Sequence, residues 1–142
     1  MKIKNISLIL VMILFMTGMN TGCKKAVVDT SKELLLEIMT NGRWVVEVYS
    51  QDNIDLTAEY TGYEFQFYRD GNLQGIKGSD VTNGTWVPDT RNLTMQSSFP
   101  LGSNTLLIRL NETWKITKSS MSHVEAKPLS NTKTAYLKLI KK

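Results

Sequence analysis

Cysteine and histidine are almost missing from this chain of 142 residues: Cys23 and His123 are the only ones. One cysteine cannot close an internal disulfide, so no disulfide framework holds the fold. One histidine and no second cysteine exclude the common zinc ligand sets, and no metal or cofactor is expected. An apolar run long enough to cross a bilayer, about 20 residues, is also missing. So is an excess of charge of one sign. The formal net charge of +4 falls to +2 once Lys2 and Lys4 are set aside, and the remaining basic residues are spread along the chain. No basic stripe marks a nucleic-acid surface, and nucleic acid is not an expected partner. The glycines of G-N-L-Q-G-I-K-G (71–78) belong to a hairpin pattern, not to a phosphate-binding strand-to-helix turn. Asp52, Asp55 and Glu59 cluster without the spacing of a calcium loop and read as a solvated acidic segment.

The first residues have an organisation of their own. Met1-Lys2-Ile3-Lys4 is basic, Ile6 to Met16 is almost wholly apolar, and T-G-M-N-T-G leads to Cys23. A basic start, a short apolar run and a small-residue exit predict a secretory signal peptide over residues 1–22. Gly22-Cys23 at its end resembles a bacterial lipobox, although Asn20 and Thr21 depart from the usual residues there. That resemblance implies cleavage before Cys23 and lipid attachment to it. The membrane then becomes a partner through the acylated cysteine, because each buried CH₂ contributes about 0.8 kcal/mol and several chains anchor firmly. Lys24 stands where an inner-membrane retention signal would place Asp, and no acidic run follows. By the same resemblance the chain is expected at the outer membrane, facing the periplasm. Residues 23–30 then form a lipidated tether, and residues 31–142 suit one domain with a real core.

Thr30 and Glu33 have capping-box spacing, and Leu34, Leu35 and Ile38 recur at helical spacing, which predicts one short helix over 31–40. Asn41-Gly42 ends it, since Gly takes a left-handed conformation at little cost. Everything beyond reads as strand and turn. Strands are expected over 44–49, 63–69, 72–77, 84–87, 92–96, 105–110, 113–118, 122–126 and 135–141. Alternation places Trp44, Val46 and Val48 on one face of the first strand, with Tyr49 on the other. Asp70-Gly71 is a strong hairpin signal. Nine short strands joined mainly by turns predict an antiparallel sandwich or barrel.

All three tryptophans follow an asparagine by three residues: N-G-R-W (41–44), N-G-T-W (83–86) and N-E-T-W (111–114). Their spacings, 42 and 28 residues, are unequal, which excludes a repeat of fixed period. Each Asn suits a turn and each Trp opens a strand. The pattern is one structural event used three times, a turn followed by an aromatic plug.

The helix followed by Gly42-Arg43-Trp44 resembles the Gly-x-Trp opening of lipocalins. The order of Gly42-Arg43-Trp44, Gly62–Gly71, Gly84-Thr85-Trp86, Trp114-Lys115-Ile116 and Tyr136–Lys142 is similar to that of small bacterial lipoproteins with a lipocalin-like domain. The resemblance covers residues 31–142. It implies an all-β, antiparallel, lipocalin-like meander barrel of 8–9 strands with one short N-terminal helix. It also implies a basic residue covering the first Trp, with Arg109 and Lys138 as candidates.

No enzyme is expected. His123 alternates with Val124 and shares a face with Glu125, which places it toward solvent; Ser119, Ser120 and Ser122 lie nearby, but nothing resembles a nucleophile elbow. The side chains expected inside the barrel are Trp44, Val46, Phe65, Phe67, Trp86, Leu106, Ile108, Trp114 and Ile116. They either surround a cavity for a small apolar or amphipathic ligand or fill the core. In the first reading the protein binds that ligand. In the second it is an accessory or structural subunit of the envelope, whose protein partner meets an outer face including Tyr49, Tyr60 and Tyr68.

Overall fold

The computed structural model describes residues 33–142. The segments assigned to signal peptide and tether, with Cys23 and Thr30, lie outside the described residues. Residues 33–40 are helical (α1), and Gly42, at φ +91°, turns the chain into the first strand.

Nine strands follow: β1 (Arg43–Gln51), β2 (Ile54–Asp55), β3 (Tyr63–Phe67), β4 (Asn72–Lys77), β5 (Asp80–Asp89), β6 (Thr94–Ser98), β7 (Glu112–Ser119), β8 (His123–Pro128) and β9 (Ala135–Lys141). From β3 to β9 every strand pairs antiparallel with the next, and β1 closes the ring by pairing with both β3 and β9. The result is a closed eight-stranded meander barrel, with β2 as a two-residue extra strand hairpinned onto β1. Each of the eight barrel strands is paired on both sides, the β1–β3 seam through only two residue pairs, so closure leaves little free edge to recruit another chain.

Two local rules decide which side chains face inward. Val46 and Val48 of β1 straddle a register shift against β9. A bulge inserts one extra residue and reverses the alternation beyond it. Tyr49, expected on the outer face, is therefore fully buried. The second correction concerns residues 105–110, which are not a strand. Thr105–Arg109 form a short helix (α2), started by the Asn104 side chain, which accepts the Leu106 amide at 2.9 Å. β6 pairs directly with β7, Ser97 opposite Glu112, so residues 99–111 form a connection across one end of the barrel. Helical spacing buries Leu107 and Leu110, where alternation had selected Leu106 and Ile108.

The meander gives the barrel two distinct ends. The start of β1, the β3–β4, β5–β6 and β7–β8 turns and the C-terminus gather at the end carrying α1. At the other end lie a 3-10 turn (Thr57–Tyr60), α2 and the β8–β9 connection. Both ends are closed by packed side chains. Leu35, Ile38 and Met39 of α1 join the core at one end, and Leu107 and Leu110 join it at the other. Gly75 and Gly84 make room for the second closure. A Cβ on Gly75 would come within 2.8 Å of Leu107 Cδ2, and one on Gly84 within 2.5 Å of the Ser98 carbonyl oxygen.

Candidate functional site

The barrel interior is the first place to look for a site, and the structure brings most of the expected residues there. Trp44, Phe65, Phe67, Trp86, Trp114 and Ile116 are buried in one continuous core. Val46 and Leu106 pack against it while only partly buried. Ile108, on α2, is half-buried and is not part of that core cluster.

The space between these side chains is small. A void of about 20 Å³ lies among Phe65, Phe67, Leu73, Met95, Phe99 and Trp114. A single water needs roughly 10–15 Å³ and two or more polar partners, whereas small-molecule pockets run to about 300–1,000 Å³. The one hydroxyl at the wall, Ser97 Oγ, is already donating to the Leu110 carbonyl. The void is therefore an apolar packing defect.

The indole N–H groups tell the same story. Trp44 Nε1 donates to the Met39 carbonyl at 2.9 Å, Trp86 Nε1 to Tyr68 at 2.8 Å, and Trp114 Nε1 to Leu110 at 3.1 Å. Each bond ties a strand to the element closing one end: α1, the β3–β4 turn, or the segment just after α2. None is left to orient a ligand. Among the described residues no buried side-chain nitrogen or oxygen lacks a hydrogen-bond partner.

A basic residue does cover the first tryptophan, but it is neither Arg109 nor Lys138. Lys141 Nζ stands 5.3 Å from the Trp44 ring centre. It comes from β9, whose register places it opposite Trp44. Lys138 instead pairs with Glu47 at 2.5 Å, and Arg109 with Glu59 at 2.8 Å.

The closure beside α2 is aromatic. Tyr49, Tyr60, Tyr63, Phe65 and Phe99 form a chain of ring contacts with centroids 5.1–6.5 Å apart. The Tyr60 hydroxyl donates to the Leu106 carbonyl at 2.8 Å, and burial pushes its pKa far above the ordinary phenol range. Burial also raises Tyr49, with Arg109 partly offsetting it. Tyr49 and Tyr60 thus belong to the core rather than to an outer patch, and only Tyr68 of that trio is exposed.

His123 is half-buried between outward neighbours while Val124 and Ala126 point into the core. Its Nδ1 lies 2.6 Å from Ser120 Oγ. That oxygen also accepts the backbone N–H groups of Ser122 and His123, each at 3.2 Å. This is a side-chain cap on the β7–β8 turn, and it commits the hydroxyl to holding the turn. Asp55 is engaged in the same manner: its carboxylate accepts the Thr57 amide at 2.9 Å, and the Thr57 side chain first and this amide second lower its pKa. Among the described residues no three His, Cys, Asp or Glu side chains are grouped to hold a metal ion, and no helix is long and apolar enough to cross a membrane.

No protein-family model matches the chain, and no curated protein matches it. One similar solved structure is a crystal structure of a DUF4847 family protein from Bacteroides vulgatus ATCC 8482. The TM-score is 0.55 and the identity 18%; the match covers 75% of this chain and 96% of that one. At that identity the likeness concerns the fold alone, and the fold is an antiparallel lipocalin-like barrel.

Sequence reasoning missed a polar row on the outside of this barrel. Gln66 of β3, Gln74 of β4 and Asn83 of β5 stand opposite one another in register. Only strand pairing brings them together, so no spacing along the chain announces them.

Proposed function

We propose that this protein is a lipid-anchored component of a bacterial envelope that works through its outer surface as a non-enzymatic accessory or structural subunit. One observation carries this reading over interior ligand binding. The void is about 20 Å³, and all three indole N–H groups are spent on backbone carbonyls. A ligand of ordinary size would have to displace core side chains around the void, such as Phe99 and Leu110.

The anchor half of the proposal rests on the sequence: the signal-peptide pattern, Gly22-Cys23, and the lack of other cysteines. Lys24 favours the outer membrane, and the periplasmic face follows from the lack of an acidic run after Cys23. The order of motifs shared with lipocalin-like lipoproteins supports the same placement.

Two measurements test the two halves separately. Growth with an alkyne fatty acid should label the wild-type chain and leave Cys23→Ser unlabelled; an unlabelled, freely soluble wild type would remove the anchor. Titration with the apolar dye N-phenyl-1-naphthylamine should give no saturable fluorescence gain. Stoichiometric uptake of the dye by folded protein would restore the interior as the binding site.

A further inference from the structure

A surface basin lies on the outside of the β3–β4–β5 wall. It measures about 460 Å³ and is lined by Tyr68, Asp70, Asn72, Gln74 and Asn83. Its polar groups are held in fixed positions by one another. The Tyr68 hydroxyl donates to Gln74 Oε1 at 2.8 Å, and Gln74 Nε2 donates to Asn83 Oδ1 at 3.0 Å. Asn72 donates its backbone N–H and its side-chain Nδ2 to the two oxygens of Asp70, at 3.0 and 2.7 Å. Gln66 extends the row on β3, its amide donating to the Phe67 carbonyl at 3.2 Å.

The chemistry of this lining excludes most ligand classes. An anion would meet Asp70 and no lysine or arginine. A cation would find one carboxylate, both of whose oxygens already accept from Asn72. An apolar molecule would leave amide groups unpaired. A peptide strand would need a free sheet edge, and closure leaves little of one here. What remains is a neutral molecule rich in hydroxyls. Each primary amide presents two donors and an acceptor. The Gln74 and Asn83 amides keep valences beyond their mutual bond, and together they suit adjacent hydroxyls that both give and take protons. Tyr68, 39% exposed, offers an apolar ring with a polar tip beside them.

We propose that this face of β3–β5 binds a neutral oligosaccharide, with Gln74 and Asn83 as the hydrogen-bonding pair and Tyr68 as the flanking ring. The site gives a ligand class to the outer surface, and so it rests on the reading that this surface makes the protein's contacts. An open basin with no charged anchor implies weak binding, with Kd near the millimolar range.

The test is a titration of the ¹⁵N-labelled full chain, followed by NMR, in a detergent without a sugar head group. The probes are maltohexaose and tetra-N-acetylchitotetraose, each taken to about 10 mM, where a millimolar site saturates. With at least one probe, the side-chain amide signals of Gln74 and Asn83 should shift and saturate. Gln74→Ala should weaken binding about fivefold, the effect of losing one net hydrogen bond, and Tyr68→Ala, which removes the flanking ring, by about the same factor. Lys127→Ala, on a separate surface basin near the β8–β9 connection, should change nothing. Backbone signals away from the basin report that each variant is folded, and Asn83→Asp gives a near-isosteric second variant. The site is overturned if neither probe gives a saturable shift, or if the shifts survive unchanged in folded Gln74→Ala and Asn83→Asp. That failure would leave an outer-surface partner elsewhere intact. Dye uptake into the core would instead remove the outer-surface reading without touching the titration.

Discussion

The Leu110 carbonyl is the acceptor of two side-chain donors, Trp114 Nε1 and Ser97 Oγ. This makes a double-mutant cycle unusually informative. In Trp114→Phe the carbonyl keeps the serine, so the loss is one hydrogen bond and part of an aromatic ring. A net hydrogen bond contributes about 1 kcal/mol, and the missing ring atoms enlarge a void that the surrounding core only partly refills. The single variant should lose roughly 2–3 kcal/mol, below the range for complete removal of a large aromatic. In Ser97→Ala the carbonyl keeps the indole, and the loss should be about 1 kcal/mol. Together the two changes strip a buried acceptor of both donors. An orphaned buried carbonyl costs a further 1–3 kcal/mol or so. The double variant should therefore be less stable than the sum of the singles by that amount. Urea unfolding, followed by the fluorescence of Trp44 and Trp86, measures all three. Agreement with additivity to within about 0.5 kcal/mol would refute the claim that Trp114 is spent on fixing the closure after α2.

Three further expectations come from the same geometry. Gly84→Ala should cost about 1–3 kcal/mol by overpacking, because the new Cβ would meet the Ser98 carbonyl oxygen and the Phe99 ring; a thermal midpoint equal to wild type would contradict the close approach. Tyr60 has a folded pKa raised above its unfolded value near 10. Its contribution is thus complete below pH 10 and is lost as the pH rises further, so its phenolate absorbance should appear only together with unfolding in an alkaline titration. Glu64 behaves with the opposite sign. Hydrogen bonds from Lys142 and Arg43 lower its pKa, so its contribution is present above the unfolded value, near 4.5, and is lost as pH falls through the folded one. Glu64→Gln should flatten the acid limb of stability relative to wild type, and an unchanged acid limb would show that this exposed clasp contributes nothing.

Much of the barrel could be read from the chain because half-buried strands write their faces as alternation. Tyr63, Phe65 and Phe67 face inward as the pattern indicates, and the turns at Gly42 and Asp70-Gly71 fall where glycine marks them. The misreadings have different causes, and Asn83, expected in a turn before a strand opened by Trp86, lies inside β5 with Trp86 further along the same strand. Tyr49 follows a bulge, whose extra residue is visible only against the partner strand β9. Leu106 and Ile108 sit in a run of six residues, 105–110, that is apolar at 106, 108 and 110 in a strand's alternation and at 107 and 110 in a helix's spacing. Periodicity cannot separate strand from helix over so short a span. The signal that decides it is Asn104, a good helix cap immediately before the run. Which lysine covers Trp44 could not be read either, because the pairing of β1 with β9 is the longest-range contact in the fold. The amide row across β3, β4 and β5 is illegible for the same reason.

The central claim is that the three tryptophans close a filled barrel instead of surrounding a ligand. Native mass spectrometry of the protein taken from an extract of its own cells, with organic extraction of whatever accompanies it, tests that most directly. A filled barrel predicts no stoichiometric small molecule in its interior. A small apolar compound recovered at one per chain, retained until the protein unfolds, would contradict it.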